Sequence, residues 1–134
     1  MSVNLRQNKF LKPIENATAS DTTAAINVAD YRNVIVTIAH DAAFAGSFKF
    51  LGSAQDEDPD FSTAKSITNI WSEVQIKDRN DDQAYDGDTG ITVTAGAANV
   101  EMYEFNANLL KSISIAATRS AGTYTVTVTC TTNA

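Results

Sequence analysis

Cysteine, histidine and tryptophan each occur once in this 134-residue chain, and each scarcity removes a class of chemistry. A lone Cys130 leaves no intrachain disulfide and no cysteine-rich zinc site to build. With His40 as the sole histidine, a nucleophilic triad would need both a serine and an aspartate to converge on it, and no Gly-x-Ser-x-Gly motif occurs. Basic residues are short as well. The 10 Lys+Arg stand against 16 Asp+Glu, for a net charge of −6, whereas a nucleic-acid partner calls for a basic face that displaces counterions from phosphate. No apolar run approaches the ~20 residues that span a bilayer, and no apolar core follows the basic N-terminus as in a secretory signal. Neither a nucleic-acid nor a membrane partner is therefore expected, and synthesis in a cytoplasm is.

What is present is a folding composition. At 43% hydrophobic and 19% charged, the chain is too apolar and too weakly charged for a disordered polymer. A chain of this size buries about two-thirds of its surface, enough for a core without covalent staples. Apolar residues recur at spacing two, the period of a half-buried strand. Asn33 to Ala39 places Val34, Val36 and Ile38 on one face and adds Ile35, as a central strand does. Gly46 to Leu51 alternates through Phe48 and Phe50, and Trp71 to Lys77 through Val74 and Ile76. Further strands are expected at Ile91 to Thr94, Asn99 to Phe105, Lys111 to Ala117 and, more weakly, Thr23 to Val28. Thr123 to Thr131 alternates strictly, with threonine on one face and Tyr124, Val126, Val128 and Cys130 on the other, so Cys130 reads as a small buried hydrophobe. The only helical candidate is a turn opened by Pro59, running to Lys65. The pattern predicts an all-β antiparallel sandwich over residues 21–134, with jelly-roll and immunoglobulin-like strand orders both open. Residues 1–20, poorer in periodicity and holding Pro13, read as an N-terminal arm.

Few residues suggest chemistry. His40 and Asp41 are adjacent, but a residue at a strand end facing solvent explains His40 more simply than an acid–base pair. The acidic stretches Asp56 to Asp60 and Asp78 to Asp88 concentrate oxygen ligands of the kind calcium takes, yet lack the alternate-position spacing of an EF-hand loop. They read as solvated turns, with Gly87 to Gly90 a tight turn before the Ile91 strand. The arm is the candidate partner contact. Leu5, Phe10, Leu11 and Ile14 are apolar enough to want burial without a period that lets them cover one another, and Arg6, Lys9 and Lys12 place positive charge on an acidic chain. Arg6, Lys9, Phe10, Leu11 and Lys12 are the residues expected to meet a neighbour.

The element Asn69-Ile70-Trp71-Ser72-Glu73-Val74-Gln75-Ile76-Lys77-Asp78 is followed by Asp86-Gly87-Asp88-Thr89-Gly90-Ile91 and by Tyr103-Glu104-Phe105-Asn106-Ala107-Asn108. With the closing Ala121-Gly122-Thr123-Tyr124-Thr125-Val126-Thr127-Val128, this series resembles the small β-sandwich structural proteins of tailed bacteriophages, over roughly residues 30–130. The long acidic insert at Asp78 to Asp88 departs from their pattern. The resemblance implies a virion component assembled in the host cytoplasm, most often a capsid decoration or cement protein and otherwise a head-fibre base, tail or connector part. It implies no catalytic residue, cofactor or metal. Its partners would be the major capsid protein or another virion protein, with closed homo-oligomers, trimers among them, suited to the symmetry of a shell. A carbohydrate-binding module is the competing class, disfavoured because Trp71 is the lone tryptophan and begins a strand.

Overall fold

The computed structural model describes residues 8–132, and among these the chain forms strands and no helix. Twelve strands follow one another: β1 (Asn8–Ala17), β2 (Asp21–Thr22), β3 (Ile26–Asn27), β4 (Asn33–His40), β5 (Ala45–Ser53), β6 (Ser72–Glu73), β7 (Ile76–Asp78), β8 (Ala84–Tyr85), β9 (Ile91–Val93), β10 (Asn99–Phe105), β11 (Ser112–Ala121) and β12 (Tyr124–Thr131). One sheet has the order β1-β12-β4-β10-β7-β8. The other runs β2-β11-β5-β6, with β3 also pairing β11 and β9 also pairing β5, and every pairing in both sheets is antiparallel. Long strands β1, β12, β4 and β10 thus face β11 and β5, whose outer edges are completed by short pieces. Eight of the eleven connections between these strands cross from one sheet to the other. That alternation is the jelly-roll order, which settles the choice that periodicity left open.

The core lies between the inner faces. Val34, Val36 and Ile38 of β4 and Val126, Val128 and Cys130 of β12 meet Phe48 and Phe50 of β5 and Ile113 and Ile115 of β11. Of the positions that alternation assigns inward, only Val74 is half-buried. It stands where the expected Trp71 to Lys77 strand divides: Ser72–Glu73 pairs with β5 in one sheet and Ile76–Asp78 with β10 in the other. Between them the Val74 amide donates to the Phe50 carbonyl at 2.8 Å, and Gly87 threads past the same spot. A Cβ at Gly87 would lie 2.1 Å from the Val74 carbonyl oxygen, so only glycine fits this close approach. Of the expected Thr23 to Val28 strand only Ile26–Asn27 forms one, as β3, while β2 at Asp21–Thr22 lies just before it.

Of the arm expected over residues 1–20, the part from Asn8 to Ala17 is corrected by this structure, and residues 1–7 lie outside the described residues. Asn8 to Ala17 is an edge strand of the sandwich, paired along β12 from Asn8 opposite Thr131 to Ala17 opposite Tyr124. Two irregularities, between Leu11 and Ile14 and between Ile14 and Ala17, shift its register. They move the inward residues to a spacing of three, which hid the strand from a period-two reading. Pro13 sits within the first irregularity, where an edge strand tolerates a residue without an amide hydrogen. Asn16 takes a positive φ of 48° at the second, and its amide donates to Thr125 Oγ1 at 3.1 Å. Beyond the strand, the buried Tyr124 donates its hydroxyl to the Ala19 carbonyl at 2.8 Å.

The Pro59 to Lys65 segment is a turn and not a helix. Asn69 holds it, donating through Nδ2 to the Asp60 carbonyl and accepting from the Asp60 amide through Oδ1, both at 2.8 Å. Half-buried Trp71 donates Nε1 to the Thr63 carbonyl at 3.1 Å, with Phe61 and the Lys65 ammonium against its ring. This loop therefore carries a small core of its own, built from residues that the fold proper does not use.

One feature of the main core gives a stability prediction. Ser112 is fully buried, and its hydroxyl has no hydrogen-bond partner among the described residues. Removing a desolvated, unpaired hydroxyl should stabilise the fold, so Ser112→Ala is expected to add about 1 kcal/mol. The check is urea unfolding: a higher midpoint at unchanged slope supports this account, and a lower midpoint refutes it.

Candidate partner surface

The residues expected to contact a partner fall on β1, and the strand distributes them to opposite faces. Phe10 pairs with Thr129 and points outward, 63% exposed. Lys9 and Leu11 pair with Cys130 and Val128, whose side chains are buried, so both point inward. Leu11 packs against the core. Lys9 lies across the sandwich edge, its Nζ donating to the Asn27 carbonyl at 3.2 Å and passing 5.9 Å from the Tyr31 ring centre. Lys9 is therefore a tie between β1 and β3 more than a free cation. Lys12 is exposed beside Glu15, 3.7 Å away, and such a surface pair contributes little. Arg6 lies outside the described residues.

Periodicity did not single out the surface that Phe10 joins. Cross-strand register places Phe10, Thr129, Ile35, Glu104, Lys77 and Ala84 in one row over the outer face of the sheet that holds β1, β12, β4 and β10. The next rows carry Thr127, Thr37 and Met102, then Thr125, Ala39 and Val100. Val100 and Met102 are 64% and 52% exposed. Across β12, β4 and the Val100 to Met102 part of β10 this face has no charged side chain, and its threonines on β12 stand on the side opposite the core. Charge begins at the end of β10 and beyond it, where Glu104 meets Arg79 at 3.1 Å and Lys77 of β7 meets Asp82 at 3.5 Å, with Lys12 and Glu15 on the β1 side. An uncharged centre with a charged rim is the anatomy of a protein–protein contact. The pattern was present in the sequence as the threonine alternation of β12, but only sheet register shows that Ile35, Val100 and Met102 join it.

The other candidates have local roles. His40 Nδ1 lies 2.9 Å from the backbone carbonyl of Asp41, while the Asp41 carboxylate accepts from the Thr123 amide at 3.2 Å, so the two side chains form no acid–base pair. The acidic insert turns on its own carboxylates: Asp78, Asp81 and Asp86 accept from the amides of Asn80, Gln83 and Asp88 at 2.7, 3.0 and 2.8 Å. Gly90, at a φ of 68°, closes the last turn by donating its amide to the Asp86 carbonyl at 2.7 Å. Among the described residues, no three His, Cys, Asp or Glu side chains are grouped to hold a metal ion. In the other loop the Lys65 ammonium, 2.7 Å from Glu73, holds that carboxyl below its usual range. Burial pushes the Cys130 thiol up, which keeps it protonated and unreactive at neutral pH.

The chain is thus an all-β jelly-roll sandwich with a sheet face that is uncharged across β12 and β4. Two solved structures share this fold. The SPBc2 prophage-derived protein YomS matches over 98% of this chain and 99% of its own, with a TM-score of 0.71 at 14% identity. The PBSX exported protein XepA matches with a TM-score of 0.71 at 18% identity, over 98% of this chain and 40% of its own, so this chain corresponds to less than half of XepA. No family model and no curated protein matches the sequence.

Proposed function

We propose that this protein is a bacteriophage virion component that acts by binding another virion protein, and in its finer form that it is a capsid decoration protein. The observation that carries this reading is the outer face of the sheet that holds β1, β12, β4 and β10, uncharged across β12 and β4 and bordered by ion pairs. The sharing of the whole fold with a prophage-derived protein supports it. In this reading the partner is the major capsid protein, the copies close into rings, and the protein is neither an enzyme nor dependent on a cofactor. A head-fibre base or a tail or connector part would use the same face.

The test is to purify particles from a phage lysate and measure the protein on them. Wild type is expected to sediment with the particles. Met102→Lys, which sets a charge in the middle of the face, should lower occupancy about tenfold or more while leaving thermal unfolding nearly unchanged. Equal occupancy of the variant would remove the face from the account. A second reading is favoured by the description of XepA as an exported protein: a phage product released from the particle pathway altogether. Protein found in the particle-free supernatant, with none on the particles, would select it.

A further inference from the structure

Residues of β4, β7 and β10 on one sheet and of β5 and β9 on the other line an open cleft of about 500 Å³. Its walls carry two carboxylates, Asp78 and Glu101, and no lysine or arginine. Asp78 is 8% exposed and forms no ion pair among the described residues. Its Oδ1 accepts from the Asn80 amide at 2.7 Å, and its Oδ2 has no partner among the described residues. Glu101 accepts from Asn99 Nδ2 at 3.0 Å and likewise meets no cation there. Tyr103 provides an independent sign of a ligand. It is 5% exposed, lines the cleft beside these carboxylates, and its hydroxyl forms no hydrogen bond among the described residues. The hydroxyl and the carboxylate oxygen both open to this one cleft without a partner among the described residues, and so are free to receive a complementary group there.

The chemistry of that group follows from charge and shape. Two carboxylates facing one cleft with no cation among the described residues attract a cation into it and repel an anion. Burial, together with the negative charges of Glu101 and Asp78, pushes Tyr103 far above the ordinary tyrosine range, so it keeps its proton. Its oxygen can then accept from an ammonium while its proton turns to a carboxylate. Ile38, Phe48, Ile91 and Val93 form the apolar part of the wall, suited to a methylene stem that carries its charge at the end. We propose that this cleft binds a primary ammonium group on an alkyl chain, either a free polyamine or the lysine side chain of a partner protein. The proposal stands whether or not the protein is a virion component.

The test is a titration of the full chain, followed by amide chemical shifts, with three probes: 1,5-diaminopentane, Nα-acetyl-lysine N-methylamide and the neutral Nα-acetyl-norleucine N-methylamide. Saturable shifts centred on Ile38, Thr92 and Tyr103 are expected with a charged probe, weakening as salt is raised. Binding of the diamine alone would point to a free polyamine, and preference for the lysine derivative to a protein side chain. Asp78→Asn keeps an oxygen for the Asn80 amide and Tyr103→Phe keeps the ring; each should weaken binding about tenfold. Without probe, Asp78→Asn should melt no lower than wild type, because the charge it removes was uncompensated. If that variant fails to fold, Glu101→Gln at the cleft rim should still weaken binding several-fold. Equal affinity for the norleucine derivative, full affinity in Asp78→Asn, or no saturable shift in the millimolar range would overturn the proposal.

Discussion

Phe48→Ala is expected to destabilise the protein by about 3–5 kcal/mol, a large part of the ~5–15 kcal/mol that holds a domain folded. Phe48 is wholly buried at the heart of an aromatic cluster. Its ring centre lies 5.5 Å from that of Phe44 and 5.6 Å from that of Tyr124, the latter edge-on. These three rings join β5, β12 and the turn after β4, so truncation removes buried area and leaves a hole whose walls belong to both sheets. Close-packed sheets cannot collapse into it without shifting register. Urea unfolding read by tryptophan fluorescence and by circular dichroism measures the loss. Val100→Ala, on the exposed face, should stay within about 0.5 kcal/mol of wild type. A Phe48→Ala variant as stable as Val100→Ala would mean that the core is not where this packing places it.

Deleting residues 2–12 is expected to cost about 3–5 kcal/mol as well, and here the structure reverses what composition suggests. An arm ordered only by a neighbour would leave unfolding of the isolated protein nearly normal. The strand described here pairs Asn8, Lys9, Phe10 and Leu11 with Thr131, Cys130, Thr129 and Val128, and sets Leu11 against the core. Its loss bares one side of β12, removes the partial burial of Leu11, worth about 1–2 kcal/mol, and gives up several hydrogen bonds at about 1 kcal/mol each. Lys9→Met separates packing from charge. It keeps the stem against Tyr31 and drops the donor to the Asn27 carbonyl, and it should cost no more than about 1 kcal/mol. A truncated protein that unfolds at the wild-type midpoint would return the segment to the status of an arm.

These contrasts show which features were legible in the chain. Strict alternation from Thr123 to Thr131 and from Asn33 to Ala39 assigns each side chain to a face, because a strand's period of two holds wherever the ladder is regular. Both strands pair side by side along their length, with the assigned residues inward. Where the ladder is irregular, periodicity fails for a physical reason. The two register shifts in β1 change its inward spacing to three, and the run from Trp71 to Lys77 leaves one sheet for the other at Val74 while its apolar residues continue without interruption.

The amino-acid sequence by itself determined the all-β class, the inward residues of the long strands, the tight turn before Ile91 and the exclusion of an intrachain disulfide and cysteine-rich zinc chemistry. Those follow from local period, turn residues and counts, none of which depends on a distant partner. Tertiary structure alone decided the jelly-roll order, the place of β1, the uncharged outer face and the cleft at Asp78 and Tyr103. Each of these arises from residues far apart in the chain: Phe10 shares its row with Thr129, Ile35 and Glu104 only through sheet register. Tyr103 stands opposite Asp78 only because β10 pairs with β7. Strand pairing is non-local, and its register is chosen by packing of the two inner faces together, a sum over the whole sandwich that no single segment encodes.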